Sequence, residues 1–177
     1  MKPKQLKQLT NFTNEELIHI IEQFTQASKS NQDLLDALLA SEKDMEKLFE
    51  KWEKKLDNSF WTRSGDLKIA SPKAANDLLV WLKTFPQEEG RLSLILDFAD
   101  NLALILEVLY RPDERYLDVL EDAILVCLDR NIEWKANHLE MIENIKSHSL
   151  PEYMSNYDEV YRLIEELIPY EEDDEEE

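Results

Sequence analysis

The chain has 177 residues, of which 43% are hydrophobic and 33% charged, and it carries a net charge of −19 at neutral pH. That composition marks a globular protein rather than a disordered one, long enough for one domain or one domain with an appended hairpin. Two glycines, Gly65 and Gly90, cannot build a Gly-rich phosphate loop, and one cysteine, Cys127, excludes an intrachain disulfide and fits a cytoplasmic location.

The charge is unevenly spread. Residues 1–60 hold nine basic against eleven acidic side chains, residues 61–110 five against seven, and residues 111–177 six against twenty-one. A field of that sign over the last third repels free nucleic acid and anionic membrane and attracts basic partners. Glycine is scarce, so the turns of a sheet protein are scarce too, and an all-α fold of about seven or eight helices is expected.

Residues 1–12 form a short basic lead with Lys2, Lys4 and Lys7 and no apolar signal core. Thr13 and Glu16 match a capping box, and Leu17, Ile20, Ile21, Phe24 and Ala27 follow at helical spacing. After the polar break 28–31, Leu34, Leu35, Leu38, Met45, Leu48, Phe49, Trp52 and Leu56 keep 3- and 4-residue steps. Ser41 and Glu42 interrupt that stripe, which makes two helices or one long helix with a weak point. Together these segments predict an N-terminal helical hairpin or arm over 1–57, of a kind that can self-associate, so a homo-oligomer is one expectation.

A loop over 58–70 holds Gly65 and the adjacent aromatics Phe60 and Trp61. Such a pair either plugs the core or stands exposed as a binding anchor. The plug is favoured, because an uncovered pair invites aggregation. A helical bundle over 71–169 should follow. Ser71-Pro72 starts its first helix, and Pro86 ends it. Gly90 then precedes the most apolar run of the chain, 92–110. A central helix over 91–110 is expected, apolar over most of its circumference and therefore enclosed by other elements. Asp97, Asp100, Asn101 and Glu107 interrupt the run, and each central charge costs about 2.5–3.5 kcal/mol in a bilayer, so it is not a membrane span.

Arg111-Pro112 closes the central helix. Three more helices are expected: about 113–130, one around Trp134 to Ile145, and one from about Ser155 to Ile168. Residues 170–177, YEEDDEEE, should be a disordered acidic tail.

Leu96 to Leu106 and Leu117 to Cys127 match in polarity position by position. Each places carboxylates at i and i+3: Asp97/Asp100 in the first, Asp118/Glu121 in the second. Antiparallel neighbours could bring the two pairs together, and four carboxylates suffice for a hard cation such as Mg²⁺. Over residues 97–122 the layout resembles the paired acidic motifs of the all-α nucleotide pyrophosphohydrolases, the MazG-like and dUTPase-like helical enzymes. Those families typically use Glu-x-x-Glu followed by Glu-x-x-Asp, and no phosphate-binding Lys or Arg is evident on these two helices. The resemblance implies a metal-dependent nucleotide hydrolase with Asp97, Asp100, Asp118 and Glu121 as metal ligands.

No nucleophile motif, Cys/His pair or cofactor fingerprint is legible, so no resident cofactor and no catalytic residue is assigned. The leading expectation is instead a non-enzymatic interaction module, an adaptor or inhibitor. It would present Glu114, Asp118, Glu121, Asp122, Asp129, Asp158, Glu159, Glu165 and Glu166 to a basic partner, with Phe60 and Trp61 as contacts if they are exposed. Carboxylates one helical turn apart lie about 5–6 Å from each other and can enter a groove built for phosphates. The partner could therefore be a nucleic-acid-binding protein or nuclease, met by nucleic-acid mimicry. A structural subunit joined through the N-terminal arm is the remaining reading.

Overall fold

The computed structural model describes residues 11–68, 71–128 and 134–167. Among these residues the chain forms eight helices and no strand longer than a single bridge. The all-α fold and the enclosed central helix are as expected. The basic lead up to residue 10, the break at Asn131, Asp129 and the acidic tail lie outside the described residues. Contacts divide the chain into two compact units, 1–48 and 49–177, and the division falls inside a helix.

In the first unit, α1 (Asn14–Ala27) and α2 (Lys29–Leu39) pack on each other. Thr13 caps α1 as its spacing with Glu16 predicts. The Thr13 hydroxyl accepts from the Glu16 amide at 3.2 Å, and the Glu16 carboxylate accepts from the Thr13 amide at 2.8 Å. Ser28 alone makes the break, extended at φ −158°, and its hydroxyl accepts from the Asn31 amide. Asn31 Nδ2 in turn donates to the Phe24 carbonyl at 2.7 Å. One residue therefore turns the chain where a four-residue break was expected. The long periodic stripe is two helices, α2 and α3 (Glu42–Phe60), parted at Ser41.

In the second unit the end of α3 supplies aromatic rings to the core. Trp52 stacks on Trp81 at 3.7 Å, and Phe85 meets Trp52 edge-on at 5.1 Å. Phe60 meets Phe98 at 5.6 Å. Trp52, Phe60, Phe85 and Phe98 are all fully buried, each contributing about 1.5–3 kcal/mol by leaving water. Helix α3 thus runs three residues into the expected loop, because Phe60 is a core residue. A tight corner follows, with Gly65 at φ +85° and an antiparallel bridge between Trp61 and Leu67.

Helix α4 (Pro72–Leu82) starts at the Ser71 cap, whose hydroxyl accepts from the Ala74 amide. Helix α5 (Glu88–Val108) is the centre, with twelve buried residues. It packs on α6 (Arg115–Leu128) and α7 (Ala136–Ser147); α4 covers α5 and α6, and α8 (Tyr157–Glu166) covers α6 and α7. No helix among the described residues is long and apolar enough to cross a membrane.

Helix α5 begins earlier than expected, and Gly90 lies inside its first turn instead of before it. A Cβ on Gly90 would sit 2.7 Å from the Phe85 ring and 3.1 Å from the Phe49 ring. The glycine is there for close approach to two aromatics, not as a break.

Candidate functional site

The matching carboxylate pairs on α5 and α6 face different neighbours. Asp97 is half-buried, and its carboxyl is pushed up to about 6. Burial is the main cause; the charges of Asp57, Asp100 and Glu53 add to it, and a hydrogen bond from Asn101 opposes it. Asp100 turns the other way, to the chain after α7, where it lies 3.0 Å from His148 Nε2. On α6, Asp118 accepts from Asn156 Nδ2 at 2.8 Å. Glu121 lies against Glu159 of α8 and its own neighbours Asp118 and Asp122. The four carboxylates expected to share a cation therefore do not come together. Among the described residues, no group of three or more His, Cys, Asp or Glu side chains is placed to hold a metal ion.

Around Asp97 the fold builds a hydrogen-bonded chain instead. The Trp61 indole N–H donates to Asn101 Oδ1 at 2.8 Å, and Asn101 Nδ2 donates to both the carbonyl and the carboxylate of Asp97. Phe60 beside it is fully buried. The exposed-anchor expectation for Phe60 is thereby corrected. Phe60 is the plug, held by its contact with Phe98, and the half-buried Trp61 spends its N–H on the core.

His148 is a site that spacing did not reveal. Its Nδ1 lies 2.7 Å from Glu107 Oε2 and its Nε2 3.0 Å from Asp100 Oδ1. A carboxylate oxygen therefore stands at each ring nitrogen. Asp100 and Glu107 stand seven residues apart on α5, two turns, which is the span a single imidazole bridges here. The wet stripe of the central helix is thus a seat for the chain after α7.

His138, unlike the partly covered His148, is fully buried, and it too has a structural place. His138 Nδ1 accepts from the Lys135 amide at 3.4 Å, so the proton sits on Nε2, which donates to Ser93 Oγ at 2.9 Å. Ser93 Oγ then donates to the Glu89 carbonyl at 3.2 Å. Burial holds the His138 pKa below its usual value.

The remaining candidates lie on α6 and α8. Glu114, Asp118, Asp122, Asp158, Glu159 and Glu166 are exposed, and Glu121 and Glu165 are partly covered. Arg162 bridges Glu159 and Glu166 along one side of α8, and Lys146 pairs with Glu165 at 3.0 Å. Arg115 turns back onto Asp113 and holds its carboxyl down near 2. Glu121 has no such relief. Its carboxyl is raised by partial burial and by Glu159, Asp118 and Asp122. These residues form an acidic patch in which carboxylates repel one another across two helices. Asp129 lies outside the described residues.

Comparison with models of protein families, with curated protein sequences and with solved structures gives no significant match.

Proposed function

We propose that this chain is a non-enzymatic intracellular interaction protein, an adaptor or inhibitor, whose α6–α8 acidic patch meets a basic surface on another protein. The observation that carries the reading is Glu121. Partial burial, and then the three neighbouring carboxylates of Glu159, Asp118 and Asp122, raise its proton affinity, and a cationic side chain brought beside it would relieve the repulsive part as well as adding attraction. Asp118 and Asp122, one turn apart and both exposed, give the patch the spacing of a charged ladder. A nucleic-acid-binding protein or nuclease carries the complementary surface, one adapted to regularly spaced anions.

The test is capture from the native cell with three baits: the full chain, the chain lacking residues 171–177, and Asp118→Asn/Glu121→Gln/Asp122→Asn in the shortened chain. The proposal expects a basic protein held by the first bait and released by moderate salt, with at least a tenfold loss of affinity on the third. Retention on the third bait equal to that on the first would sink it.

A further inference from the structure

The second unit carries a cleft that shares no lining residue with the proposed acidic patch. It lies between the end of α5 and the segment that follows α7, and its volume is about 620 Å³, within the range of ligand and peptide sites. Leu106, Leu109 and Pro151 supply apolar lining. Tyr110 and Tyr153 line it too, although they remain 90% and 65% exposed. The wall after α7 is held in place: Glu107 engages His148 at 2.7 Å, and Leu150 and Met154 are buried. Arg111, also on the lining, sits at φ +58° directly before Pro112, a conformation that is costly for any residue but glycine. Its guanidinium carbon lies 5.5 Å from the centre of the Tyr110 ring.

The hydrogen-bonding character of the lining selects the occupant. Among the described residues, no acceptor takes the protons of the Tyr110 and Tyr153 phenols, the Ser149 hydroxyl or the Arg111 guanidinium. The lining carboxylate, Glu107, is already engaged by His148. The cleft therefore offers donors and aromatic faces and has little to offer a ligand's own donors. A helical partner hides its carbonyls in its own ladder. A small anion would use Arg111 alone and would enter beside Glu107 and the exposed Glu152, which stands between Pro151 and Tyr153. A proline-rich segment uses the whole lining. Proline brings no N–H, its carbonyls are unpaired in a polyproline II helix, and its rings pack on tyrosine. A basic residue beside the prolines would meet the Glu152 carboxylate. We infer that this cleft binds a proline-rich segment of another protein, in polyproline II conformation and flanked by a basic residue.

The experiment titrates the full chain with defined probes and follows backbone amide shifts by NMR. The probes are acetyl-PPPPPPRR-amide, acetyl-GSGSGSRR-amide, acetyl-PPPPPPEE-amide and naphthalene-2-carboxylate. The inference expects the first peptide to bind saturably and to shift Tyr110, Arg111, Ser149 and Tyr153. The glycine-serine peptide should leave these amides in place, and the acidic proline peptide should bind several-fold more weakly than the first. Tyr110→Ala/Tyr153→Ala should bind the first peptide at least tenfold more weakly at an unchanged melting temperature, since both side chains are exposed. Arg111→Gly separates a binding role from a structural one. Glycine holds a positive φ without strain, so this variant should melt no lower than the parent and still bind more weakly. Absence of saturable binding by the first peptide overturns the inference. So does equal binding of the glycine-serine peptide, which would leave charge as the whole attraction. Naphthalene-2-carboxylate shifting the same amides where the proline peptide does not would make the cleft a small-anion site instead. An affinity unchanged in the double tyrosine variant also overturns it.

Discussion

The indole N–H of Trp61 lies 2.8 Å from Oδ1 of Asn101, and this bond ties the corner after α3 to the middle of the central helix. Asn101 is 6% exposed and uses both ends of its amide, accepting from Trp61 and donating to the Asp97 carbonyl and carboxylate. Replacing it by leucine keeps the volume and strands the indole donor and the Asp97 carboxylate. Each unsatisfied group of this sort costs about 1–3 kcal/mol. Asn101→Leu should therefore lower the urea midpoint of the second unit without changing its dependence on denaturant. An unchanged midpoint would show that water replaces the amide without loss.

Asp97 gives a pH dependence of definite sign. Its folded value, about 6, lies above the usual 3.8, so the fold disfavours the carboxylate. The stability it contributes is fully present below pH 3.8 and is lost as pH rises through 6. At 1.36 kcal/mol per pKa step the loss is at most about 3 kcal/mol, and about 1–2 kcal/mol once solvent screens a half-buried group. Asp97→Asn retains an acceptor for Asn101 and removes the charge. It should raise the melting temperature by a few degrees at pH 7 and leave it unchanged at pH 3.5. A lower melting temperature at pH 7 would mean that the carboxylate is stabilising where it stands.

His138 works in the opposite direction. Burial lowers its folded pKa below 6.5, so the stability of the neutral form is present above 6.5 and is lost as pH falls through the lower folded value. Between pH 6.5 and 4 the two groups partly cancel in the wild type. In Asp97→Asn only the His138 loss remains, and acidification should destabilise that variant more steeply than the parent. The same pH dependence of the melting temperature in both proteins across this range would mean that Asp97 does not offset the His138 loss.

Much of this fold is readable from spacing. The Thr13 capping box, the Ser71-Pro72 start and the enclosed 92–110 run each rest on local chemistry, and each stands as the sequence implies. The site was less legible, because polarity along one helix does not say which neighbour a stripe will face. Asp97 and Asp118 occupy equivalent positions in matching segments, yet one turns toward Asp57 of α3 and the other toward Asn156 before α8. His148 was invisible for a related reason. Its partners lie 41 and 48 residues away, and nothing beside it in the chain marks it. Phe60 was ambiguous because a loop and the last turn of a helix look alike in sequence when asparagine and serine precede the aromatic.

Gly90 tests the reading of α5 most directly. In an exposed helix interior, replacing glycine by alanine stabilises by about 1 kcal/mol. Here the new methyl would stand 2.7 Å from Phe85 Cε1 and 3.1 Å from Phe49 Cδ2. The Phe85 ring is fully buried and held by the Trp52 ring at 5.1 Å, so it has no free direction in which to retreat. Overpacking of this kind costs about 1–3 kcal/mol, which outweighs the helix-propensity gain. Gly90→Ala should thus lower the melting temperature, and its tryptophan emission should shift as the Trp52–Trp81 stack is displaced. A stabilised Gly90→Ala protein would show that the aromatic cluster yields, and that the glycine marks a helix start after all.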